Sequence, residues 1–209
     1  MSEGSYESLN LGILTGDDRD RVAENRRRVV EAAALEPGSI AWGLQVHGAD
    51  LAEWDGPHPG GDPPEADAHL TRRSGLGLLV LVADCLPVAL ASDCGVAMVH
   101  CGWRGLAGGI LGKAVDALGG TPAAAAGPGI GRCCYEVGEE VLAEFAELDD
   151  VSAGRMLDLR AVADAQLRAA GVERIEHVDL CTSCHPELFF SHRRDAGVTG
   201  RQGGLVVRA

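Results

Sequence analysis

LGLLVLVADCLPVALASDCGVAMVH, residues 76–100, decides how this chain folds. Residues 76–83 carry no polar side chain, which is the look of a strand covered on both faces. Asp84-Cys85 ends that run, Leu86–Leu90 follows as a second strand after a kink, and Val96–His100 forms a third. Strands so close in sequence, set among helical segments, predict mixed rather than purely parallel sheets. Upstream, DRDRVAENRRRVVEAAAL (residues 18–35) reads as a helix capped by Asp18 or Asp20 and stopped by Pro37-Gly38. Ile40–His47 alternates like a strand, and residues 55–65, DGPHPGGDPPE, can only be loop. Downstream, Gly102–Gly105 reads as a turn and residues 106–118 as a helix weakened by Gly108, Gly109 and Gly112. Gly127–Gly131 is a backbone-rich turn, and a helix is expected from near Glu136 through Leu148. Asp158 caps another helix that ends at Gly171. Residues 174–180 alternate as a strand, and GGLVVRA ends the chain as another. The expectation is an α+β (mixed α/β) fold: one domain over residues 1–209, with mixed β-sheets flanked by helices.

Composition narrows the function. The chain has 209 residues, 46% of them hydrophobic, which is enough for a sizeable core. Eighteen basic residues against thirty-one acidic ones leave a charge of −13, the wrong sign for a general nucleic-acid binder or an anionic membrane surface. Any phosphate must therefore meet a local cluster of arginines or backbone amides. Seven cysteines cannot all pair, and the N-terminal residues show no basic and apolar leader, so a reducing cytoplasm is expected. Lys113 is the only lysine amid abundant Ala and Gly. That is the codon bias of a GC-rich genome, so Ala123–Ala126 and the run Arg26-Arg27-Arg28 carry no functional weight.

Three soft ligands stand at strand ends: His47, Cys85 and His100. Two imidazoles and a thiolate suit a zinc ion with a vacant fourth position, the arrangement of catalytic rather than structural zinc. The same residues also read as two satisfied histidines and a small buried thiol. Cys181-Thr182-Ser183-Cys184-His185 is a CxxC followed by His. As a second zinc site it needs further ligands, for which His177 and His192 are the obvious sources; as a haem motif it needs export. The plainer reading is structural or incidental, with Cys133 and Cys134 as packed thiols and His69 as a core or rim histidine. Arg104 between Gly102 and Gly105 reads as a phosphate ligand or as a salt-bridge partner. Arg193, Arg194 and Arg201 form a cationic patch or a solvated face.

An ordered set of segments resembles the YfiH-type family, whose members are named laccase-domain proteins, polyphenol oxidases and purine nucleoside phosphorylases. The segments are Ser8–Gly12, Gln45–Gly48, Ala83–Val88, His100–Gly105, Gly127–Ile130 with Cys134–Val137, and Phe189–Asp195 with Thr199–Arg201. The resemblance implies a YfiH-like fold and His47, Cys85 and His100 as zinc ligands. It also implies phosphorolysis of purine nucleosides, with adenosine deamination as a second activity. The family's Thr-x-Arg-x-Gly-Gly strand has no counterpart ahead of Ser8, which leaves part of the expected anion site without its arginine. Cys101 stands where a small residue is expected; its thiol reads as a tolerated small side chain or as one that oxidises or competes for the metal at His100. Asp84, next to Cys85, is a candidate proton carrier or orienter.

Three functions compete. The first is a zinc-dependent purine nucleoside enzyme acting on a small-molecule nucleoside and phosphate. The second is a copper polyphenol oxidase; seven histidines and no HxH pair speak against a multicopper centre, although copper can replace zinc at an N/S site. The third is a hydrolase with Cys85 as nucleophile and His100 or His47 as base. Beside these, the resemblance implies a further idea, a non-enzymatic sensor or a peptidoglycan-precursor editing factor.

Overall fold

A computed structural model describes all residues, Met1–Ala209. The helices are α1 (Arg19–Ala32), α2 (Trp103–Ala107), α3 (Ile110–Leu118), α4 (Glu139–Ala143) and α5 (Leu159–Ala169). The strands are β1 (Ile40–Ala41), β2 (Leu51–Glu53), β3 (Ala68–Thr71), β4 (Gly77–Val82), β5 (Leu86–Ala91) and β6 (Val96–Cys101). They continue with β7 (Ala123–Ala126), β8 (Ser152–Ala153), β9 (Met156–Leu157), β10 (Ile175–His177) and β11 (Gln202–Val207). A six-stranded sheet runs β10-β7-β5-β6-β3-β2, a three-stranded sheet runs β1-β4-β11, and β8 and β9 form a small hairpin. Both larger sheets mix parallel and antiparallel pairs, as expected of this mixed α+β single-domain fold. No helix is long and apolar enough to cross a membrane.

The strand period of two divides the core. On β6, Ala97, Val99 and Cys101 join the larger apolar cluster, where the six-stranded sheet meets α2, α3 and α5. Val96 and Met98 point the other way, into a smaller cluster with Leu78 and Val80 of the three-stranded sheet. The same alternation puts His100 on the face towards the three-stranded sheet. Cys101 is fully buried on the opposite face among apolar side chains, so its thiol does not compete at His100.

Several expectations need correction. The Ile40–His47 strand stops at Ala41. Beyond it the Gln45 amide takes the backbone of Leu81, donating to its carbonyl at 2.8 Å and accepting from its N–H at 2.7 Å, so β4 has no ladder left for a neighbour there. The 102–118 region starts its helix at Trp103 and breaks at Gly108-Gly109, where Gly109 takes a left-handed φ of 74°. A Cβ on Gly108 would come within 2.9 Å of the Ala49 Cβ. The helix expected from Glu136 is only Glu139–Ala143, because Val137 bonds to the backbone of Arg155 instead. The alanine run set aside as codon bias is β7, between β5 and β10. Alanine is a poor strand former alone; here burial of Ala124 and Ala126 outweighs local propensity.

His69 is a core histidine with no exposed surface, and its Nδ1 accepts the Trp54 indole N–H at 3.3 Å. Burial pushes its pKa down to about 4. A depressed histidine is protonated first in the unfolded chain, so stability falls as pH drops from about 6.5 towards that value. Urea unfolding of wild type and His69→Gln at pH 7 and pH 4 should show wild type losing about 3 kcal/mol more than the variant. Equal losses would contradict this assignment.

Candidate metal centre

The chain passes from one sheet to the other at Ala83-Asp84-Cys85, between β4 and β5. Asp84 makes the turn at a positive φ of 89° and aims Cys85 into the cleft where the sheets part. His100 reaches the same point from β6. His47 arrives from a loop rather than a strand end, with a positive φ of 59°. The donor atoms of His47, Cys85 and His100 all lie within 4.8 Å of one another. The two imidazoles meet edge to face, with centroids 4.9 Å apart. Gly102 gives the cluster room: a Cβ there would stand 3.0 Å from the His47 ring and 3.3 Å from the Cys85 sulfur.

Asp67, which the sequence reading missed, holds two of the three ligands. It is fully buried, immediately before β3, and its carboxylate accepts the N–H groups of Val46, His47 and Gly48 at 3.0, 3.0 and 2.8 Å. The same carboxylate meets His100 Nδ1 at 2.6 Å. One acid thus fixes the His47 loop and turns His100 Nε2 towards the cleft, as a carboxylate behind a metal-ligating histidine does. Burial pushes the Cys85 thiol up, but the His100 and His47 imidazoles outweigh it and bring the pKa down to about 6. Burial likewise works against a charged His100, while Cys85 and Asp67 raise its pKa to about 9. The donor set suits one borderline-soft divalent ion.

The cleft around this cluster has a volume of about 490 Å³. Trp42, Trp103 and Tyr135 line it with Arg26, Arg104, Arg193 and Arg201. Arg104 is exposed and lies over its own neighbour Trp103, 4.5 Å from the ring centroid, with no carboxylate partner. Arg193 lies 5.2 Å from the Tyr135 centroid. Arg194 is not in the cleft; it pairs with Asp195 at 2.8 Å and with the carbonyls of Thr182 and Phe189. Arg26, discounted with its neighbours, turns inward: its Nε donates to the Leu11 carbonyl and its Nη2 is buried without a partner. Both oxygens of Asp84 are engaged, by the Thr182 hydroxyl at 2.6 Å and the Arg193 N–H at 2.7 Å, which is the position of an orienting group.

The other histidines disperse. His58 stacks on Trp42, His177 meets Asp164, His185 meets Glu187, and His192 stands exposed at the cleft rim. Cys134 packs against the larger apolar cluster, as expected, but Cys133 does not. Cys133 is exposed, Cys134 is half-buried, and both stand with Cys181 and Cys184 in a second group of four donors.

Comparison with known proteins finds relatives along the whole chain. The family model described as multi-copper polyphenol oxidoreductase laccase matches residues 1–209. A purine nucleoside phosphorylase of Streptomyces coelicolor is 39% identical over 220 residues, covering 99% of this chain and 90% of the relative. The purine nucleoside phosphorylase YfiH of Escherichia coli is 38% identical over 215 residues, covering 96% and 86%. The crystal structure of YlmD from Geobacillus stearothermophilus matches with a TM-score of 0.91 at 35% identity, covering 99% of this chain and 87% of that one. Bacillus licheniformis YfiH matches with a TM-score of 0.93 at 31% identity, covering 100% and 88%. The chain therefore belongs to the multi-copper polyphenol oxidoreductase laccase family, alongside the YfiH and YlmD proteins.

Proposed function

We propose that the cleft is the active site of a zinc-dependent purine nucleoside phosphorylase. The observation that carries this reading is that a His47–Cys85–His100 donor set, four arginines and three aromatic rings share one cavity of nucleoside size. A bound zinc would supply Lewis acidity at neutral pH. The chain's own groups do the rest. Arg26, Arg104, Arg193 and Arg201 hold phosphate in a protein whose overall charge would repel it. Trp42, Trp103 and Tyr135 offer faces for a purine. A phosphate oxygen attacks the ribose C1′, the glycosidic C–N bond breaks, and the proton carried by phosphate ends on the departing base. Asp84 keeps Arg193 and the Thr182 loop in place. Adenosine deamination, in which water replaces the amino group and ammonia leaves, is a second activity of the same cleft. Seven free cysteines suit a cytoplasmic setting.

The multi-copper description of the family raises copper. Only two of the seven histidines reach the cluster, which provides for one ion rather than a multicopper centre. Copper could still occupy that N/S set in place of zinc. A hydrolase reading has one observation in its favour, the line Asp67–His100–Cys85. The second imidazole on the same sulfur favours a metal, because a nucleophile needs only one base.

The test is inosine with and without phosphate. Phosphate-dependent release of hypoxanthine together with ribose 1-phosphate supports the reading. Free ribose without any phosphate requirement, or no base release at all, contradicts it. Adenosine assayed for ammonia decides the second activity.

A further inference from the structure

We propose that Cys133, Cys134, Cys181 and Cys184 form a second metal site, a structural tetrathiolate zinc centre that braces one wall of the cleft. The four sulfurs all lie within 4.8 Å of one another. Cys184 stands 3.6 Å from Cys133 and 3.4 Å from Cys134, sulfur to sulfur. A tetrahedron with Zn–S bonds of about 2.3 Å has sulfur–sulfur edges of about 3.8 Å. The spacing is thus near that of four ligands on one ion, and too tight to enclose an iron–sulfur cubane. It is also far longer than the ~2.05 Å of a disulfide. These two contacts share Cys184, so disulfide formation could satisfy only one of them.

The backbone is built for thiolates as well. Gly131 N–H points at the Cys181 sulfur from 3.2 Å, the kind of donor that supports a metal-bound thiolate. Gly131 eases the approach of the loops, because a Cβ would stand a tight 3.2 Å from the Cys181 Cβ and 3.3 Å from the Cys133 sulfur. Cys181 is held in register by its bridge to Gly129, and Cys184 N–H closes a turn onto the Cys181 carbonyl. Four thiols ranging from exposed to buried, with no disulfide among them, converge on one point.

The ion would join a loop that carries a cleft residue to a loop that holds one in place. Tyr135 follows Cys134 and takes Arg193 over its ring. Thr182 lies between Cys181 and Cys184 and donates to Asp84. The site would be closed, with all four positions filled by sulfur, so its role is structural. This inference stands independently of the reaction proposed for the cleft.

The test is zinc content of protein purified in reducing buffer, for wild type, Cys85→Ala and Cys181→Ser/Cys184→Ser. The expected stoichiometries are two zinc per chain, one and one. Cobalt reconstitution of Cys85→Ala should give the intense visible bands of a tetrahedral thiolate site. If the double variant fails to fold, Cys85→Ala alone still decides through its cobalt spectrum, because only this cluster offers four thiolates to one ion. A wild type with one zinc that survives Cys85→Ala also supports the tetrathiolate site, while removing support from the catalytic one. Cys85→Ala protein that is metal-free, refuses cobalt and offers four freely titrating thiols overturns the proposal. So does a Cys134–Cys184 disulfide in the native protein.

Discussion

Cys85→Ala is expected to fold normally, to lose the zinc of the His47–His100 cluster, and to release base at least about a hundredfold more slowly than wild type. Lewis-acid stabilisation is worth several kcal/mol, and roughly 3 kcal/mol corresponds to about a hundredfold in rate. The fold should survive because Cys85 lies at the sheet crossover, only half-buried and outside both apolar clusters. Alanine adds no volume there. Circular dichroism, zinc content and initial rates on the same preparation check the three parts. Retained zinc at this cluster would remove Cys85 from the ligand set. Lost zinc with wild-type turnover would make the metal dispensable for the reaction.

Asp67→Ala should do broader damage, because it strikes the fold and the site together. The carboxylate is fully buried and accepts from three backbone N–H groups and from His100. Removing it leaves those donors unpaired, and breaking a buried charged partnership costs about 3–5 kcal/mol. At roughly 2–4 °C per kcal/mol for a chain of this size, the melting temperature should fall by about 10 °C. Metal affinity should fall roughly 10- to 100-fold, the usual cost of removing a group that orients a ligand. Asp67→Asn should rescue little. Oδ1 serves His47 N–H and His100, and Oδ2 serves Val46 N–H and Gly48 N–H, so an amide nitrogen at either position would face donors. Calorimetry and zinc titration of both variants check this. A melting temperature within a degree or two of wild type would contradict the role given to Asp67.

Much of this site was legible because strands announce themselves. The apolar run 76–83 and the short apolar strand 96–100 placed Cys85 and His100 at the right ends of the right strands. His47 was found for a partly wrong reason: the alternation of residues 40–47 is real, but the Gln45 side chain replaces the strand ladder and Asp67 turns the chain. Asp67 itself carried only a faint signal, an acid set directly before the buried run Ala68–Thr71. Arg26 could have been found. Val22, Asn25, Arg26 and Val29 share one helical face, and Val22 and Asn25 are buried. Reading the arginine run as composition hid that phase. The four-cysteine group was illegible for a different reason. Its halves are about fifty residues apart, and only the parallel pairing of β7 with β10, continued by the Gly129–Cys181 bridge, brings them together. The alanines of β7 gave no local hint of that pairing.

The most direct test of the account is to strip the protein of metal, refill it stepwise with zinc, and follow phosphate-dependent release of hypoxanthine from inosine. To isolate the cleft, the same titration is run on Cys85→Ala. The account predicts that stripped wild type is inactive, that activity returns as the His47–Cys85–His100 cluster fills, and that Cys85→Ala stays inactive at every zinc level. Full phosphorolysis by the metal-free wild type would contradict it.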